Sequence, residues 1–276
     1  MCNIVHIAGV PIHLKKPFDF SFIHQYGTVF KVVNNGDGSG NLCFGVENEN
    51  GKRFVKFAGA PKEKFDICEI DEAVRWLKDA KQVYQDLAHK NLIKLIKSEA
   101  IGGGYANIFE WTDAECIGYL APPSRQKFLN LPIEAKLQSF KDILDFHAHV
   151  AERGYVAIDF YADQIMYDFE RGKTIICDID FYQKSPYYGD KGPWGSENFV
   201  SPEERIPGLR IDEITMVYTM GATAFCIFAD YDRSFEQWTL SKPLYHIAKK
   251  AVSNHRDMRQ QSIRQFMHEW KMNITK

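Results

Sequence analysis

The chain has 276 residues, of which 45% are hydrophobic, 14% aromatic and 25% charged, with a formal net charge of −2. This composition excludes an intrinsically disordered or low-complexity protein, and the length suffices for one large core or for two packed lobes. Because the net charge provides no overall positive field, we expect neither nucleic acid nor a membrane as a partner.

Three features bear on cellular location. The first residues lack a basic segment followed by an apolar one, so we expect no secretory signal peptide. The most apolar stretch, 214–228, has 15 residues, fewer than the roughly 20 that a membrane span needs, and predicts a buried helix. The six cysteines are scattered without a C-x-x-C pair, which is typical of reduced thiols. We therefore expect a cytoplasmic protein.

The first third of the chain predicts an antiparallel sheet. Residues 26–33 are β-branched and aromatic with rough alternation, and 34–41 form a dense turn signal. Two more strand-like runs follow at 42–47 and 53–57, separated by a turn at 48–52. Successive strands joined by short turns favour a meander.

A helix and two short strands follow the meander. Apolar residues recur at three- and four-residue spacing over 71–87, which predicts an amphipathic helix. Residues 92–96 and 105–110 are strand candidates. The proline-containing segment 116–131 is predicted to be an irregular linker between two lobes.

Helical patterning dominates the rest of the chain. Residues 132–153 predict a helix that ends at Gly154, with His147 as a packed core residue. Strands are expected at 164–167 and 174–178. Three later helices are predicted, at about 212–229, 242–253 and 260–271. The whole pattern predicts an α+β protein: a small antiparallel β-rich lobe over 1–114, a larger mainly helical lobe over 115–276, and a cleft between them.

Two segments of the first lobe carry residue types that bind phosphate. In Gly36-Asp37-Gly38-Ser39-Gly40, alternating glycines would let backbone N–H groups approach an anion, although a plain hairpin turn explains them equally well. Lys56 lies in the middle of the third predicted strand. A strand lysine usually points to solvent, but one that follows a glycine-rich loop is placed where phosphoryl transfer needs a cation.

Two acidic segments occur in the second lobe. Asp159 and Gln164 are five positions apart, which is a D-x-x-x-x-N spacing with Gln in place of Asn. Asp178 and Asp180 stand among apolar residues of a predicted strand. Because burial of an unpaired carboxylate costs several kcal/mol, such acids are more often metal ligands or partners of cations than surface residues without a specific role.

In this order, and followed by Ser201-Pro202-Glu203, these segments resemble a eukaryotic-type serine/threonine protein kinase domain, in a divergent bacterial-type form. The resemblance extends over residues 26–270. It implies a bilobal kinase-like fold in which Arg259 pairs with Glu203. It also implies phosphoryl transfer from ATP to a Ser or Thr hydroxyl of a protein substrate, and any regulation would come from a separate protein.

The resemblance assigns roles to individual residues. Asp159 would be the catalytic base, and Lys56 would contact the ATP phosphates. Gln164 with Asp178 or Asp180 would bind Mg²⁺, with Mn²⁺ as the alternative metal. The remaining residues expected to contact the nucleotide are Gly36, Asp37, Gly38, Ser39, Gly40 and Glu110.

Departures from the family pattern leave alternatives open. Ala157 and Ile158 replace the usual His-Arg, and Tyr161 replaces a lysine. Asp178 has nearly the family spacing from the catalytic loop, whereas Asp180 has the better local match. No acidic helix partner of Lys56 can be assigned. A pseudokinase that serves as a nucleotide-binding or scaffold module, or a small-molecule kinase, is therefore also consistent with the sequence.

Overall fold

The computed structural model describes residues 3–33, 40–63, 68–189 and 195–274. Contacts divide the chain into two compact units: Met1–Ala88 with Ile93–Thr112, and His89–Leu92 with Asp113–Lys276. The first unit is rich in antiparallel β-sheet and the second is mainly helical. The α+β class and the order of its two parts are therefore confirmed.

The first unit is built on a five-stranded antiparallel sheet in the order β3-β4-β5-β7-β6. Its strands are β3 (Thr28–Val33), β4 (Leu42–Asn48), β5 (Gly51–Ala58), β6 (Leu95–Ile101) and β7 (Gly104–Glu110). All five lie at or near the predicted runs. A hairpin of β1 (Asn3–Ile7) and β2 (Val10–Leu14), and a 3₁₀ turn at Ser21–Tyr26, were not predicted.

Both faces of this sheet are covered because its strands alternate. Val55 and Phe57 point to one face, where they pack with Ile12 and Leu14 of the N-terminal hairpin. Ala58 points to the other face and packs against the helix α1 (Ile70–Asp86). The sheet is thus the middle of three layers.

The second unit surrounds a long, almost entirely buried helix. Its helices are α2 (Pro122–Leu129), α3 (Ile133–Glu152), α4 (Glu213–Ala229), α5 (Lys242–Ala251) and α6 (Ile263–Ile274). α4 contains the most apolar stretch of the chain and packs on α3, α5 and α6. Among the described residues, no helix is both long and apolar enough to cross a membrane.

The predicted irregular linker at 116–131 is wrong. Residues Glu115–Cys116 form the short strand β8, and Pro122 begins α2. Proline is tolerated in the first turn of a helix because the first N–H groups have no partner within it. The two prolines therefore mark where a helix begins.

Short ladders complete the second unit. They are β9 (Tyr155–Val156), β10 (Ile165–Asp168), β11 (Lys173–Ile176) and β12 (Gln183–Lys184). β10 pairs with β11 and β8, and β9 pairs with β12. The segment His89–Leu92 belongs to this unit because the Asn91 side chain donates to the carbonyl of Thr174, at 2.9 Å.

Candidate functional site

Two loops of the second unit carry the predicted acids, and the short ladders hold both ends of each loop. One loop, 157–164, runs from β9 to β10, and the other, 177–182, runs from β11 to β12. Because β9 pairs with β12 and β10 pairs with β11, the loops are joined at both ends. This framework brings Asp159 and Gln164 close to Asp178.

The register of the hairpin specifies one of these contacts. Ile165 of β10 pairs with Ile176 of β11. The next pair outward is therefore Gln164 and Cys177, and the Cys177 amide donates to the Gln164 carbonyl at 2.9 Å. Asp178 comes one residue later, at the start of the loop that follows this pair.

Two of the acids have left-handed backbone conformations. Asp159 has φ = 65° and Asp178 has φ = 55°. A non-glycine residue held in this region costs roughly 1–3 kcal/mol and requires support from its surroundings. Such residues concentrate at active sites and ligand clamps, and here both occur in the two paired loops.

The side chain of Gln164 has one satisfied end and one unsatisfied end. Its Nε2 donates to the backbone carbonyl of Asp159, which ties the loop together. Its Oε1 is buried and accepts no hydrogen bond from any of the residues that the structure describes. A buried polar atom without a partner costs about 1–3 kcal/mol. A carbonyl oxygen in that condition fits a hard cation such as Mg²⁺, which takes oxygen ligands.

Asp178 and Asp180 have different environments. Both acids were expected inside a strand, but β11 ends at Ile176 and both lie in the following loop. Asp178 is exposed, whereas Asp180 is only 8% exposed. Asp178 is therefore the more accessible of the two carboxylates.

Tyr161 lies among the acids of this site. Burial raises its pKa, and the negative charges of Asp159, Asp163 and Asp178 raise it further. The phenol is therefore neutral at physiological pH, so it can donate a hydrogen bond but supplies no positive charge.

Gly195 was not predicted as a site residue, yet it lies against Asp159. A Cβ atom at Gly195 would lie 3.1 Å from Oδ1 of Asp159 and 3.6 Å from the ring of Tyr161. Gly195 also has φ = 94°, which favours glycine. Nothing in the local sequence signals this approach, because it joins segments more than 30 residues apart.

His147 supports both loops from α3. Its Nδ1 lies 2.8 Å from the carbonyl of Ile143, and its Nε2 lies 3.0 Å from the hydroxyl of Tyr182. A carbonyl only accepts, so Nδ1 carries the proton and Nε2 accepts from Tyr182. The ring also packs edge-to-face on Phe160, with centroids 4.3 Å apart. The predicted core role of His147 is confirmed, since the side chain is completely buried.

Burial governs the charge of His147 as well. It lowers the pKa of this histidine to about 4, so the ring is neutral at physiological pH. A neutral imidazole can accept the hydrogen bond from Tyr182, whereas a protonated one cannot. His147 therefore orients the residues on either side of the site without adding charge.

In the first unit, Lys56 lies on the sheet face that carries α1. Its neighbour across the ladder, Asn107, shares this face and donates to the carbonyl of Leu77 on α1 at 2.9 Å. Lys56 is itself buried, at 7% exposure. A lysine held under a helix differs from the usual solvated strand lysine.

The remaining predicted nucleotide contacts have different outcomes. Gly36, Asp37, Gly38 and Ser39 lie outside the described residues. Gly40 is buried with φ = 72°. Glu110 ends β7, is exposed and pairs with Lys94 at 3.2 Å. The roles of Gly40 and Glu110 in nucleotide binding stay predictions.

The predicted pairing of Glu203 with Arg259 is confirmed. Nη1 and Nη2 of Arg259 donate to the two carboxylate oxygens of Glu203 at 2.6 and 2.9 Å, and both side chains are buried. Arg256 adds a further bond to Glu203 at 2.7 Å and one to Asp212 at 2.6 Å. Asp212 also caps α4 in a capping box with Thr215. The network joins the segment at 201–205 to the start of the buried helix.

Within the part of the chain that the structure describes, no three His, Cys, Asp or Glu side chains form a group that could hold a metal ion. Mg²⁺ is commonly held by one or two carboxylates together with substrate phosphates, so such a group is not a requirement for it. No protein-family model matches the chain, and no curated protein matches it in sequence. Function is therefore inferred from the residues of this chain.

Proposed function

We propose that the chain transfers the γ-phosphoryl group of ATP to Ser or Thr hydroxyls of a protein substrate. The observation that carries this proposal is the arrangement of the two paired loops. They bring together Asp159 and Asp178, both with left-handed backbone conformations, and the side-chain carbonyl of Gln164, which has no hydrogen-bond partner among the described residues. Phosphoryl transfer requires little more of a protein than correct positioning and neutralisation of charge.

Asp159 would act as the general base. Its half-buried carboxylate is positioned by the bond from Gln164 to its backbone and by the close approach of Gly195. It would orient the acceptor hydroxyl and take its proton as the oxygen attacks the γ-phosphorus, while the bond from that phosphorus to the bridging oxygen breaks and ADP leaves. A base placed in this way contributes typically 10²–10⁴-fold to a rate.

Gln164 and Asp178 would hold the metal that accompanies ATP. The amide offers Oε1, a neutral oxygen already removed from water, and Asp178 offers an accessible charged oxygen beside it. When bound, Mg²⁺ or Mn²⁺ would neutralise charge on the transferring phosphoryl group. Asp180, which is more deeply buried, would support the loop.

Lys56 would supply the protein's positive charge to the phosphates. Its burial on a strand beneath α1 holds the side chain in a restricted position, which suits a residue that must meet a particular phosphate oxygen. Gly36, Asp37, Gly38, Ser39 and Gly40, together with Glu110, would complete the nucleotide contacts.

A second candidate function is a nucleotide-binding pseudokinase. Tyr161 favours it, because a neutral phenol stands where a cation would help to stabilise the transition state. Loss of that charge slows transfer without preventing binding. The two candidates therefore differ in turnover and agree on the binding of ATP with a divalent metal.

Transfer of ³²P from ATP to a basic protein and to the chain itself separates the two functions. With Mg²⁺ or Mn²⁺, we expect incorporation into Ser or Thr and a fall of at least 100-fold in Asp159→Asn. The matched control is Asp257→Asn, which removes the same charge from an exposed position in the second unit. Incorporation that is equal in both variants would contradict the role of Asp159.

Thermal stability with nucleotide tests binding independently of transfer. We expect ATP with Mg²⁺ to raise the melting temperature of the native chain and of Asp159→Asn. In Asp178→Asn the dependence on metal should be lost. Stabilisation without transfer would indicate the pseudokinase. If neither metal gives nucleotide-dependent stabilisation, both functions are excluded.

A further inference from the structure

A cavity of about 630 Å³ in the second unit is lined by several basic residues. It lies between α5 and the segments on either side of that helix. Its lining residues are Arg233, His246, Lys249, Lys250, Val252, Ser253, Asn254 and Met258. None of these eight residues is acidic, which contrasts with the net charge of −2 for the whole chain.

Two of the cations have no carboxylate partner among the described residues. Arg233 donates to the Tyr218 hydroxyl at 3.0 Å and to the Asn198 carbonyl at 2.7 Å. Lys249 donates to the backbone carbonyl of Arg233, at 3.4 Å. Their charges are therefore not neutralised within this part of the chain. Lys250, in contrast, pairs with Glu269 at 2.9 Å.

The charge of Arg233 is also held in place. Its bonds to two neutral oxygens orient the guanidinium, and the ring of Tyr218 lies beneath it, with the centroid 5.3 Å from the guanidinium carbon. A cation that is oriented before a ligand arrives loses little side-chain entropy on binding. This arrangement is typical of a prepared anion site and is not expected of a solvated surface arginine.

The rest of the lining adds hydrogen-bond donors and an apolar wall. Ser253 offers a hydroxyl group, Asn254 an amide and His246 an imidazole, and Met258 is 62% exposed. A phosphomonoester carries about −1.5 to −2 charge and three acceptor oxygens, whereas a carboxylate carries −1 and two. Two unneutralised cations with several neutral donors fit the phosphate better.

We propose that this cavity binds a phosphoserine or phosphothreonine segment of a partner protein. Its volume accommodates the phosphorylated residue together with an apolar neighbour, which would contact Met258. If the proposed transfer to Ser or Thr is correct, the cavity would recruit partners that are already phosphorylated. The binding itself requires no catalytic residue, so it can be tested alone.

Fluorescence polarisation with labelled peptides provides the test. Three peptides would share one sequence with an apolar flank and carry phosphoserine, Ser or Glu at one position. We expect the phosphoserine peptide to bind at least tenfold more tightly than the other two, with an affinity that falls as NaCl rises. The Asp159→Asn variant should bind equally well, which separates this site from the proposed transfer.

Charge reversal locates the site. Lys249→Glu should weaken phosphopeptide binding at least tenfold. Lys242→Glu is the matched control, because it makes the same change at an exposed position of α5 that does not line the cavity. Arg233→Ala is a poorer variant, since that side chain also holds Tyr218 and Asn198 in place.

Three results would overturn the proposal. Equal binding of the Glu and phosphoserine peptides would indicate a general acidic segment. Equal weakening by both lysine variants would place binding elsewhere. Tighter binding of a short labelled RNA than of the phosphopeptide would assign the basic cavity to nucleic acid.

Discussion

Replacement of Arg259 by alanine should be among the most destabilising single changes in the second unit. The side chain is completely buried and makes two charge-assisted bonds to Glu203 and one to the Ser253 carbonyl, at 2.7 Å. Breaking a buried pair from one side costs about 3–5 kcal/mol, because the remaining charge is left without compensation. Arg256 still donates to Glu203, so we expect the lower end, about 3 kcal/mol.

Urea-induced unfolding followed by circular dichroism measures this loss. The control is Arg264→Ala, which breaks a surface ion pair with Glu152. The side chains of Arg264 and Glu152 are 73% and 46% exposed. Such exposed pairs contribute about 0–1 kcal/mol. If Arg259→Ala costs no more than this control, the buried pair does not anchor the segment at 201–205.

A double variant tests the mechanism of the loss. In Arg259→Ala with Glu203→Ala, no buried carboxylate is left unpaired at this position. The double variant should therefore lose clearly less free energy than the sum of the two single losses. Strict additivity would mean that the two side chains stabilise the fold independently, despite their bidentate contact.

The same pair predicts a dependence on pH. Burial alone would raise the pKa of Glu203, but the hydrogen bonds and charge of Arg259 outweigh it, and the pKa lies below its ordinary value of 4.5. The unfolded chain then takes up the proton first as the pH falls. The stabilisation should be complete above pH 4.5 and should disappear in more acidic solution, where the native chain and Arg259→Ala converge.

Three further changes test the site and the core. Gly195→Ala should lower the transfer rate at least tenfold by displacing Asp159. Gly208 also has a left-handed backbone but has open space around it, so Gly208→Ala should leave the rate unchanged. His147→Gln should abolish a pH-dependent loss of stability. The pKa of His147 is about 4 in the folded chain and 6.5 in the unfolded chain, so the native chain should lose up to about 3 kcal/mol as the pH falls from 6.5 to 4, and the variant should not. An unchanged pH profile of unfolding would contradict that assignment. Gly221→Ala should lower the free energy of unfolding in urea by about 1–3 kcal/mol, because the added Cβ would lie 2.7 Å from the methyl carbon of Ala251 on α5. An unchanged free energy of unfolding would mean that α4 and α5 separate easily.

Elements with a strong local pattern could be predicted well. The helix at Ile133–Glu152 begins and ends within one residue of the prediction, and Gly154 has the left-handed φ of 70° that a terminating glycine requires. The helix at 213–229 is buried almost throughout, as its continuous apolar run indicates. In both cases, periodicity and end signals lie within the segment itself.

Segments that depend on distant partners could not be predicted as well. The second strand of the β10–β11 hairpin is predicted at 174–178, but β11 ends at Ile176, so Asp178 lies outside it. Its end is set by pairing with β10, which is only four residues long. The N-terminal hairpin was missed because its short alternating strands become stable only when they cover the apolar face of the sheet.

The α+β class and the order of its two parts follow from the amino-acid sequence itself, because periodicity, turn residues and spacing are local properties of the chain. Packing between separated segments leaves Oε1 of Gln164 without a hydrogen-bond partner among the described residues, places Gly195 against Asp159 and lines one cavity with Arg233 and Lys249. Each of these depends on atoms brought together from separated segments. Their burial and distances arise from packing, which a linear pattern does not record.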